Sequence, residues 1–316
     1  MRSHEQNKTH YWLQEVEDEQ IITKIPVKKQ SKPVQKSNQV RARLAEELYK
    51  EEDEYKFTYQ AARHEQQWIS TALREFYADS IILDVLSMVK GGKEANVYCC
   101  QAHPNIGLDY LAAKVYRPRL LRNLKNDSLY KEGRSLIGED GKTLRDGRSM
   151  RAVRKKTRIG EQISITSWIE HEFLAMSILF DAGGAVPRPV AQTGNAVLME
   201  FIGENGSPAP ALSEVALDRE EAGPIFQKLL ENVELMLAHD RIHADLSAYN
   251  VLYWEGDVTI IDFPQVVDPL YNPQGYKLLA RDLERLCQYF YRYGIRKNPH
   301  QLATDMWSRY LHKEIM

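Results

Sequence analysis

The segment IHADLSAYNVLYWEGDVTIIDF, residues 242–263, places polar residues at the ends of two short apolar runs. The runs NVLYW and VTIID flank EGD, a pattern typical of a β-hairpin. Asp245, Asn250 and Asp262 stand at its turns, where Asp and Asn are ordinary turn formers. The same spacing, with His243 ahead, is that of a site in which one carboxylate accepts a proton while an amide and a second carboxylate bind metal. Hard oxygen ligands of this kind suit Mg²⁺.

The flanking sequence divides into a strand-rich part and a helix-rich part. Upstream, the runs IILDVLSMV, ANVYCCQA, YLAAKVY and AVLMEFIG predict a small sheet, and SWIEHEFLAMSILFDAGG predicts a helix ended by glycines. Downstream, AGPIFQKLLENVELMLAHD and YKLLARDLERLCQYFYRYG predict amphipathic helices around the hairpin. We therefore expect an α+β fold with a small β-rich N-lobe, residues 81–202, and a helical C-lobe, residues 203–316.

The N-terminal 80 residues differ in composition from the rest of the chain. Residues 1–42 are polar and lysine-rich without an apolar period, which predicts a disordered segment. Residues 43–80 contain neither Pro nor Gly and are rich in helix formers. We expect this second stretch to be a helical extension that packs on the domain that follows.

Composition limits the classes of protein that fit. The chain has 316 residues, 43% of them apolar, so it can bury a full hydrophobic core. Its net charge is −2, so the chain as a whole does not carry the positive charge that would attract nucleic acid or a membrane surface. Its three cysteines form no CxxC pair, which favours a reducing compartment over a zinc site or a disulfide framework. No apolar run of 18 residues is present. We expect a cytoplasmic protein that has no membrane partner.

Lys114 is the candidate cation for phosphate oxygens, because it lies on the predicted strand YLAAKVY among apolar neighbours. A buried ammonium needs a carboxylate partner. The helix that contains Glu170 and Glu172 offers two, and we expect Glu172 to be the partner because it directly precedes the apolar face. Glu170 would then lie on the surface.

The turn VKGGKEANVY, between two predicted strands, is the candidate cover for phosphates. Gly91 and Gly92 allow close approach of the backbone, and Lys93 follows them. The same sequence also fits an ordinary β-hairpin turn that contains glycines. The lysine strand that follows favours the phosphate interpretation, with Gly92 and Lys93 as nucleotide-binding residues.

Taken together, GKEANVY, AAKVY, MEFIG, PAPAL, HADLSAYNVLY and IDFPQ resemble the RIO family of atypical protein kinases over about residues 81–295. In HxDLSxxN, Ser247 stands where typical protein kinases carry a lysine. The resemblance is strongest to the RIO1-type branch, although IDFPQ belongs to another branch. Lys90 and Gly91 also stand where the family commonly has Ser or Thr before GKE, so a hydroxyl contact there is not expected.

The resemblance implies a trimmed bilobal protein-kinase-like fold that binds ATP with Mg²⁺ or Mn²⁺. It implies Asp245 as catalytic base, Asn250 and Asp262 as metal ligands, and Lys114 on the α and β phosphates. It also implies a hinge for adenine at residues 199–202. The nucleotide-binding candidates are thus Gly92, Lys93, Lys114, Glu172, Met199, Glu200, Ile202 and Ser247.

The activity implied is that of an ATP-dependent serine/threonine protein kinase, acting on a protein substrate or on itself. An ATPase cycle in which Asp262 accepts the phosphoryl group fits as well. Two alternatives stay open: a small-molecule phosphotransferase of the aminoglycoside or choline kinase type, and a non-catalytic scaffold. The segment after Asp262 passes almost directly into a helix, without the long activation segment of ordinary protein kinases.

Residues 117–158 form a basic insertion with 14 Lys and Arg against 5 Asp and Glu. Such a run is usually a solvated loop. The insertion lies between the Lys114 strand and the Glu172 helix. Because of this position, contact with RNA phosphates, for example on the small ribosomal subunit, is an equally weighted alternative.

Overall fold

The computed structural model describes residues 57–117, 147–155 and 157–315. Residues 1–42, the first part of the expected helical extension and most of the basic insertion lie outside the described residues. In chain order the elements are α1 (Arg63–Ala78), β1 (Ile82–Gly91), β2 (Ala95–Ala102), β3 (Tyr110–Tyr116), α2 (Gly147–Arg154), α3 (Arg158–Asp181), β4 (Pro189–Thr193), β5 (Ala196–Glu200), β6 (Gly203–Glu204), β7 (Ser207–Pro208), α4 (Arg219–Ala238), β8 (Val251–Trp254), β9 (Asp257–Ile260), α5 (Gly275–Phe290) and α6 (Pro299–Leu311).

The N-lobe is a five-stranded antiparallel sheet with strand order β1-β2-β3-β5-β4. Side chains alternate between the two faces of a strand. On β3, Leu111, Ala113 and Val115 are buried in one cluster with residues of α1. Lys114 therefore points to the opposite face, toward α3 and the C-lobe.

Helix α1 covers the first face of the sheet with buried residues that include Leu73 and Phe76. The helix is shorter than expected, because residues 57–62 are not helical. In that stretch the backbone N–H of Tyr59 donates to the carbonyl of Val85 at 2.8 Å. The chain there runs along the edge of β1 and satisfies its own backbone groups by pairing rather than by helix formation.

Helix α3 packs against the other face of the sheet and joins it to the C-lobe core. Its first turn is capped by Thr157, whose hydroxyl accepts from the Gly160 N–H at 3.2 Å. It ends where Gly183 adopts φ +82°, a left-handed conformation that glycine accepts without strain. Between these ends, Ile169 and Leu179 are buried with the apolar residues of α4 and α5.

The C-lobe packs α4, α5 and α6 together with the hairpin of β8 and β9. Glu255 and Gly256 form the hairpin turn with positive φ values of 50° and 81°, as a two-residue turn of the I′ type requires. Helix α4 begins at Arg219, earlier than the apolar pattern predicts, because Asp218 and Glu221 form a capping box. The α+β fold with a β-rich N-lobe and a helical C-lobe is confirmed. Within the described ranges, no helix has the length and apolarity needed to cross a membrane.

Candidate active site

The loop that carries Asp245 is attached to α5 through Asp282. The two carboxylate oxygens of Asp282 accept from the N–H groups of Ala244 at 2.7 Å and Leu246 at 3.1 Å. These donors flank Asp245, so the buried helix fixes the backbone on both sides of it. Burial of Asp282 raises the pKa of its carboxyl to about 7, and the two hydrogen bonds oppose that rise.

His243 supports the same loop from inside the core. Its Nε2 lies 3.1 Å from the carbonyl oxygen of Ile261, and its Nδ1 accepts from the N–H of Asp245 at 3.3 Å. A ring nitrogen that accepts must be unprotonated, so these contacts fit a neutral imidazole with its proton on Nε2. Burial lowers the pKa of His243 and favours the same state. His243 joins the Asp245 loop to the strand that leads to Asp262.

Asp245 lies at the mouth of the site with its side chain 36% exposed. Its Oδ1 is 2.7 Å from Nη1 of Arg285 on α5. Asn250 donates from Nδ2 to the carbonyl oxygen of Asp245 at 3.0 Å and lies 3.5 Å from its Oδ2. One carboxylate oxygen is therefore held by a guanidinium, while the other has only a marginal contact among the described residues.

The β8–β9 hairpin brings Asn250 beside Asp262. Val251 pairs with Ile260, and the N–H of Ile261 donates to the Asn250 carbonyl at 2.9 Å. The Asp262 backbone has φ +74°, a left-handed conformation that is uncommon for a residue other than glycine. These residues supply an amide oxygen and a carboxylate, a donor set that fits Mg²⁺ when nucleotide phosphates and water complete its shell. The described ranges contain no group of three or more His, Cys, Asp or Glu residues that could hold a metal without such help.

Lys114 connects the two lobes. Its Nζ lies 2.6 Å from Glu172 Oε1 on α3 and 2.6 Å from Asp262 Oδ1. Burial alone would lower the pKa of Lys114, but the two carboxylates outweigh it and raise that pKa. Burial raises the pKa of Glu172 despite Lys114, whereas for Asp262 the lysine outweighs burial and lowers the pKa.

The neighbouring acidic residue on α3 differs from expectation. Glu170 is buried, with 7% of its surface exposed, and does not lie on the surface. Helix α3 is enclosed between the sheet and the C-lobe core, so both Glu170 and Glu172 face packed surroundings. Glu172 is the residue that contacts Lys114.

The glycine turn lies between β1 and β2, with Gly92 and Lys93 exposed. A Cβ atom on Gly92 would stand 2.7 Å from the carbonyl oxygen of Ala95, so this close approach requires glycine. Lys90, next to this turn, contributes to the lowered pKa of Asp262. Lys90 is thus close enough to Asp262 for its positive charge to stabilise the Asp262 carboxylate.

The expected hinge, residues 199–202, begins in the last two residues of β5 and continues beyond it. Met199 lies two positions after Val197, which pairs with Lys114, so Met199 shares the sheet face of that lysine. The carboxylate of Glu200 turns back and accepts from the Arg188 N–H at 3.1 Å. Glu200 and Ile202 line a cavity of about 940 Å³ that α4 and β9 also border. Glu200 pairs with Leu111, so its side chain lies on the sheet face opposite Lys114. The Glu200 N–H donates to the Arg188 carbonyl at 2.8 Å, and the Ile202 carbonyl accepts from the Ala209 N–H at 2.9 Å.

Ser247 begins the short 3-10 helix that ends at Asn250. Its carbonyl oxygen accepts from the Asn250 N–H at 2.9 Å, and its side chain makes no capping hydrogen bond. Ser247 is half-buried on the Asp245 loop. Ser247 thus lies on the same short loop as Asp245 and Asn250.

Sequence reasoning missed Asp282 and Arg285. A signal for the first was present, because Asp282 occupies a position of the apolar period in LLARDLERL where a hydrophobic residue is expected. Arg285 gave no such signal, since an arginine one turn later on an amphipathic helix is typical of a solvated face.

A β-rich N-lobe, a helical C-lobe and a Lys–Glu pair facing an Asp–Asn–Asp set define a bilobal protein-kinase-like fold. The family model described as the RIO domain matches residues 129–302. The chain belongs to the RIO family. Its similarity to relatives named RIO1 confirms the RIO1-type branch.

The sequence relatives span different shares of the chain. The serine/threonine-protein kinase RIO1 of Caenorhabditis elegans is 28% identical over 215 residues, which is 68% of this chain and 38% of the relative. The RIO-type serine/threonine-protein kinase Rio1 of Thermoplasma acidophilum is 30% identical over 46% of this chain and 76% of the relative. Human serine/threonine-protein kinase RIO3 is 35% identical over 42% of this chain and 26% of the relative. The matches thus span about a quarter to two fifths of the animal relatives and three quarters of the archaeal one.

Solved structures agree on the fold. The Rio2 kinase of Chaetomium thermophilum, in a complex with ADP, Mg²⁺ and phosphoaspartate, has a TM-score of 0.52 at 20% identity, covering 78% of this chain and 69% of that one. Another structure of the same kinase has a TM-score of 0.51, also at 20% identity, and covers 85% of this chain and 76% of that one.

Proposed function

We propose that this chain is an ATP- and Mg²⁺-dependent serine/threonine protein kinase of the RIO type that also hydrolyses ATP. The observation that carries the proposal is the position of Lys114 Nζ, 2.6 Å from both Glu172 and Asp262. Phosphoryl transfer depends on positioning and on neutralising charge. A buried cation between a structural carboxylate and a candidate metal ligand is suited to that task.

Each residue has a defined part in the proposed reaction. Lys114 binds the α and β phosphates of ATP, and Asp262 with Asn250 would hold Mg²⁺, which neutralises phosphate charge when bound. Asp245 accepts the proton of the acceptor hydroxyl through Oδ2, which has only the 3.5 Å contact with Asn250 among the described residues. A bond forms between the acceptor oxygen and the γ phosphorus, the bond to the bridging oxygen of ADP breaks, and ADP leaves. Mn²⁺ is proposed as a second divalent ion that fits the same donors.

The region after Asp262 supports a restricted choice of acceptor. Val267 forms a β-bridge with Ile242, and α5 begins at Gly275. This described stretch is short and tied to the Asp245 loop, which leaves no extended platform for a peptide. We therefore propose that transfer to the chain itself, or to Asp262 followed by hydrolysis, exceeds transfer to added peptides.

The test is an incubation of the purified chain with γ-labelled ATP and Mg²⁺, after which free phosphate is separated from labelled protein. Both products are expected from the wild type. Asp245→Asn should lower their formation by about 10²- to 10⁴-fold, the usual contribution of a general base. Asp181→Asn, exposed at the end of α3, is the matched control and should retain wild-type rates.

Other outcomes separate the alternatives. Transfer of label to an aminoglycoside or to choline, without protein labelling, would favour a small-molecule kinase. Absence of turnover and of ATP binding in the wild type would favour a scaffold. Equal rates for Asp245→Asn and wild type would contradict the assignment of the base.

An RNA partner is proposed as a second property of the chain. It is supported by α2 and the residue that follows it, where Arg148, Arg151 and Lys155 are exposed and recur at helical spacing along one side. Such a basic stripe suits the phosphates of structured RNA, including ribosomal RNA. The rest of the basic insertion that would extend it, residues 118–146, lies outside the described residues. A cytoplasmic location is proposed as well, supported by three buried free cysteines.

A further inference from the structure

Arg285 contacts the side chain of Asp245, and the proposed reaction does not assign a role to this contact. It lies on α5, and its Nη1 is 2.7 Å from Oδ1 of Asp245, the proposed base. Both side chains are about one-third exposed, Arg285 at 37% and Asp245 at 36%, so the pair stands at the open side of the site. An acceptor hydroxyl would approach from that side.

Helix α5 holds the Asp245 loop at four points, one of which is the guanidinium of Arg281, which donates to the carbonyl of Ala244. Asp282 accepts from the N–H groups of Ala244 and Leu246, which fixes the backbone but leaves the Asp245 side chain free to rotate. Arg285, one helical turn further on, contacts that side chain directly. The helix therefore determines the direction of the carboxylate as well as the path of the loop.

The two oxygens of Asp245 are used differently. Oδ1 is held by Arg285 at 2.7 Å, whereas Oδ2 has only the 3.5 Å contact with Asn250. A general base must stand about 2.6–3.2 Å from the proton donor it serves, with a lone pair free to accept. A partial rotation about the Cβ–Cγ bond, or another rotamer of the Asp245 side chain, would turn the accepting lone pairs away from the acceptor.

We propose that Arg285 is a positioning residue for the base: its guanidinium holds Oδ1 of Asp245 so that Oδ2 faces the acceptor hydroxyl. The proposal rests on the proposed function. A guanidinium suits this task better than an ammonium, because its donors lie in a rigid plane and define a direction. Arg285 is not among the residues assigned to nucleotide or metal, so its removal should affect the chemical step and leave nucleotide binding unchanged.

The experiment compares ATP turnover by the full chain and by variants at this position. Arg285→Gln should lower kcat by about 10- to 100-fold, the effect expected when a reacting group is misplaced by about 1 Å, while KM for ATP stays within about twofold. Arg285→Lys should recover part of kcat. Arg285→Ala should gain activity when millimolar guanidinium is added, since the free ion can occupy the vacated place. Lys277→Ala, exposed on the same helix, is the control and should match wild type with or without guanidinium.

The outcomes decide separately on the inference and on the proposed function. If the wild type is active, Asp245→Asn is not and Arg285→Gln equals wild type, the inference is wrong and the function stands. If Arg285→Gln is slow but neither Lys nor guanidinium restores activity, Arg285 has a purely structural role and the inference is again wrong. A wild type without turnover refutes the function, and the inference falls with it. Thermal unfolding is measured for every variant, and if Arg285→Gln does not fold, the Lys variant and guanidinium rescue decide alone.

Discussion

Lys114 makes two ion pairs with one ammonium group. Its side chain is 11% exposed and that of Glu172 is 3% exposed, so neither charge would be stable there without the other. Asp262 is different, with 43% of its side chain exposed, and it retains contact with water on one side. When phosphates arrive, the ammonium can shift toward them from Asp262 while the buried Glu172 keeps its place. The residue proposed to bind ATP is therefore also part of the fold.

This double role predicts a large loss of stability when the charge is removed. Lys114→Met keeps most of the side-chain volume but leaves Glu172 buried without a cation, and it should lower the free energy of unfolding by about 3–5 kcal/mol. The loss should shrink at acidic pH. Burial raises the pKa of Glu172, so in the native variant this carboxyl binds a proton more tightly than it does in the unfolded chain. The stability of the variant therefore falls as the pH rises above the pKa that Glu172 has in the unfolded chain. Urea unfolding without nucleotide at several pH values measures both effects.

The double variant Lys114→Met/Glu172→Gln removes the unpaired charge and should recover most of the loss at neutral pH. Lys277→Met, exposed on α5, is the control for loss of a lysine and should leave stability unchanged. Equal stability of Lys114→Met and wild type at neutral pH would show that Glu172 finds another partner.

At the scale of elements, α1 and α5 show what local patterns can predict. The apolar period of α1 predicts a helix, and its buried residues pack on the sheet as an amphipathic helix should. The preceding residues 57–62 were expected to continue that helix, but pairing with the edge of β1 depends on a strand that follows in the chain. Asp282 and Arg285 were missed for the same reason, because their partners lie 36–40 residues earlier. Asp282 interrupts the apolar period of α5, but neither composition nor period identifies the distant group that such a residue contacts.

The packing of α1 on the sheet predicts that this helix is a structural part of the N-lobe. Leu73 has 0% of its surface exposed within the cluster formed with β1, β2, β3 and β5. Leu73→Ala should lower the free energy of unfolding by about 2–5 kcal/mol, because it leaves a cavity in a close-packed core. Thr71→Ala, exposed on the same helix, is the control and should change it by less than about 0.5 kcal/mol. Urea unfolding, monitored by tryptophan fluorescence, measures the stability of both variants. Equal urea midpoints for the two variants would mean that α1 can detach from the sheet without loss of stability.

At the scale of the whole molecule, the bilobal fold was predictable because each lobe has its own pattern, period two upstream and helical period downstream. The proximity of Asn250 and Asp262 was predictable from the sequence, because the β8–β9 hairpin pairs the strands that lie between them. The roles of Asp245, Asn250 and Asp262 in binding metal and in proton transfer stay predictions. The Lys114–Glu172 pair required one further argument, that a buried ammonium needs a carboxylate. Glu170 shows the limit of that argument, because burial of a second acidic residue on the same helix depends on how both lobes enclose α3.

Charge is distributed unevenly over the molecule, and this distribution carries the last prediction. The chain has a net charge of −2, yet residues 117–158 contain 14 basic and 5 acidic residues. If this segment contacts RNA phosphates, affinity for structured RNA should fall steeply with salt, since each neutralised phosphate releases counterions. Replacing the exposed Arg148, Arg151, Arg154 and Lys155 by Ala should reduce the slope of log affinity against log salt by up to about 3–4, at about 0.7–0.9 per contact.

A control with the same change of charge distinguishes local contact from a general electrostatic effect. Lys277, Arg296, Lys297 and Lys313 are exposed on the C-lobe, and their replacement by Ala should leave the slope close to that of wild type. The basal ATP hydrolysis of both quadruple variants should remain, because none of these eight residues is assigned to nucleotide or metal. An equal drop in slope for both variants would make the binding a property of net charge. Weak, salt-insensitive binding by the wild type would leave the basic insertion as a solvated loop, since phosphate contacts cannot form without releasing ions from the RNA.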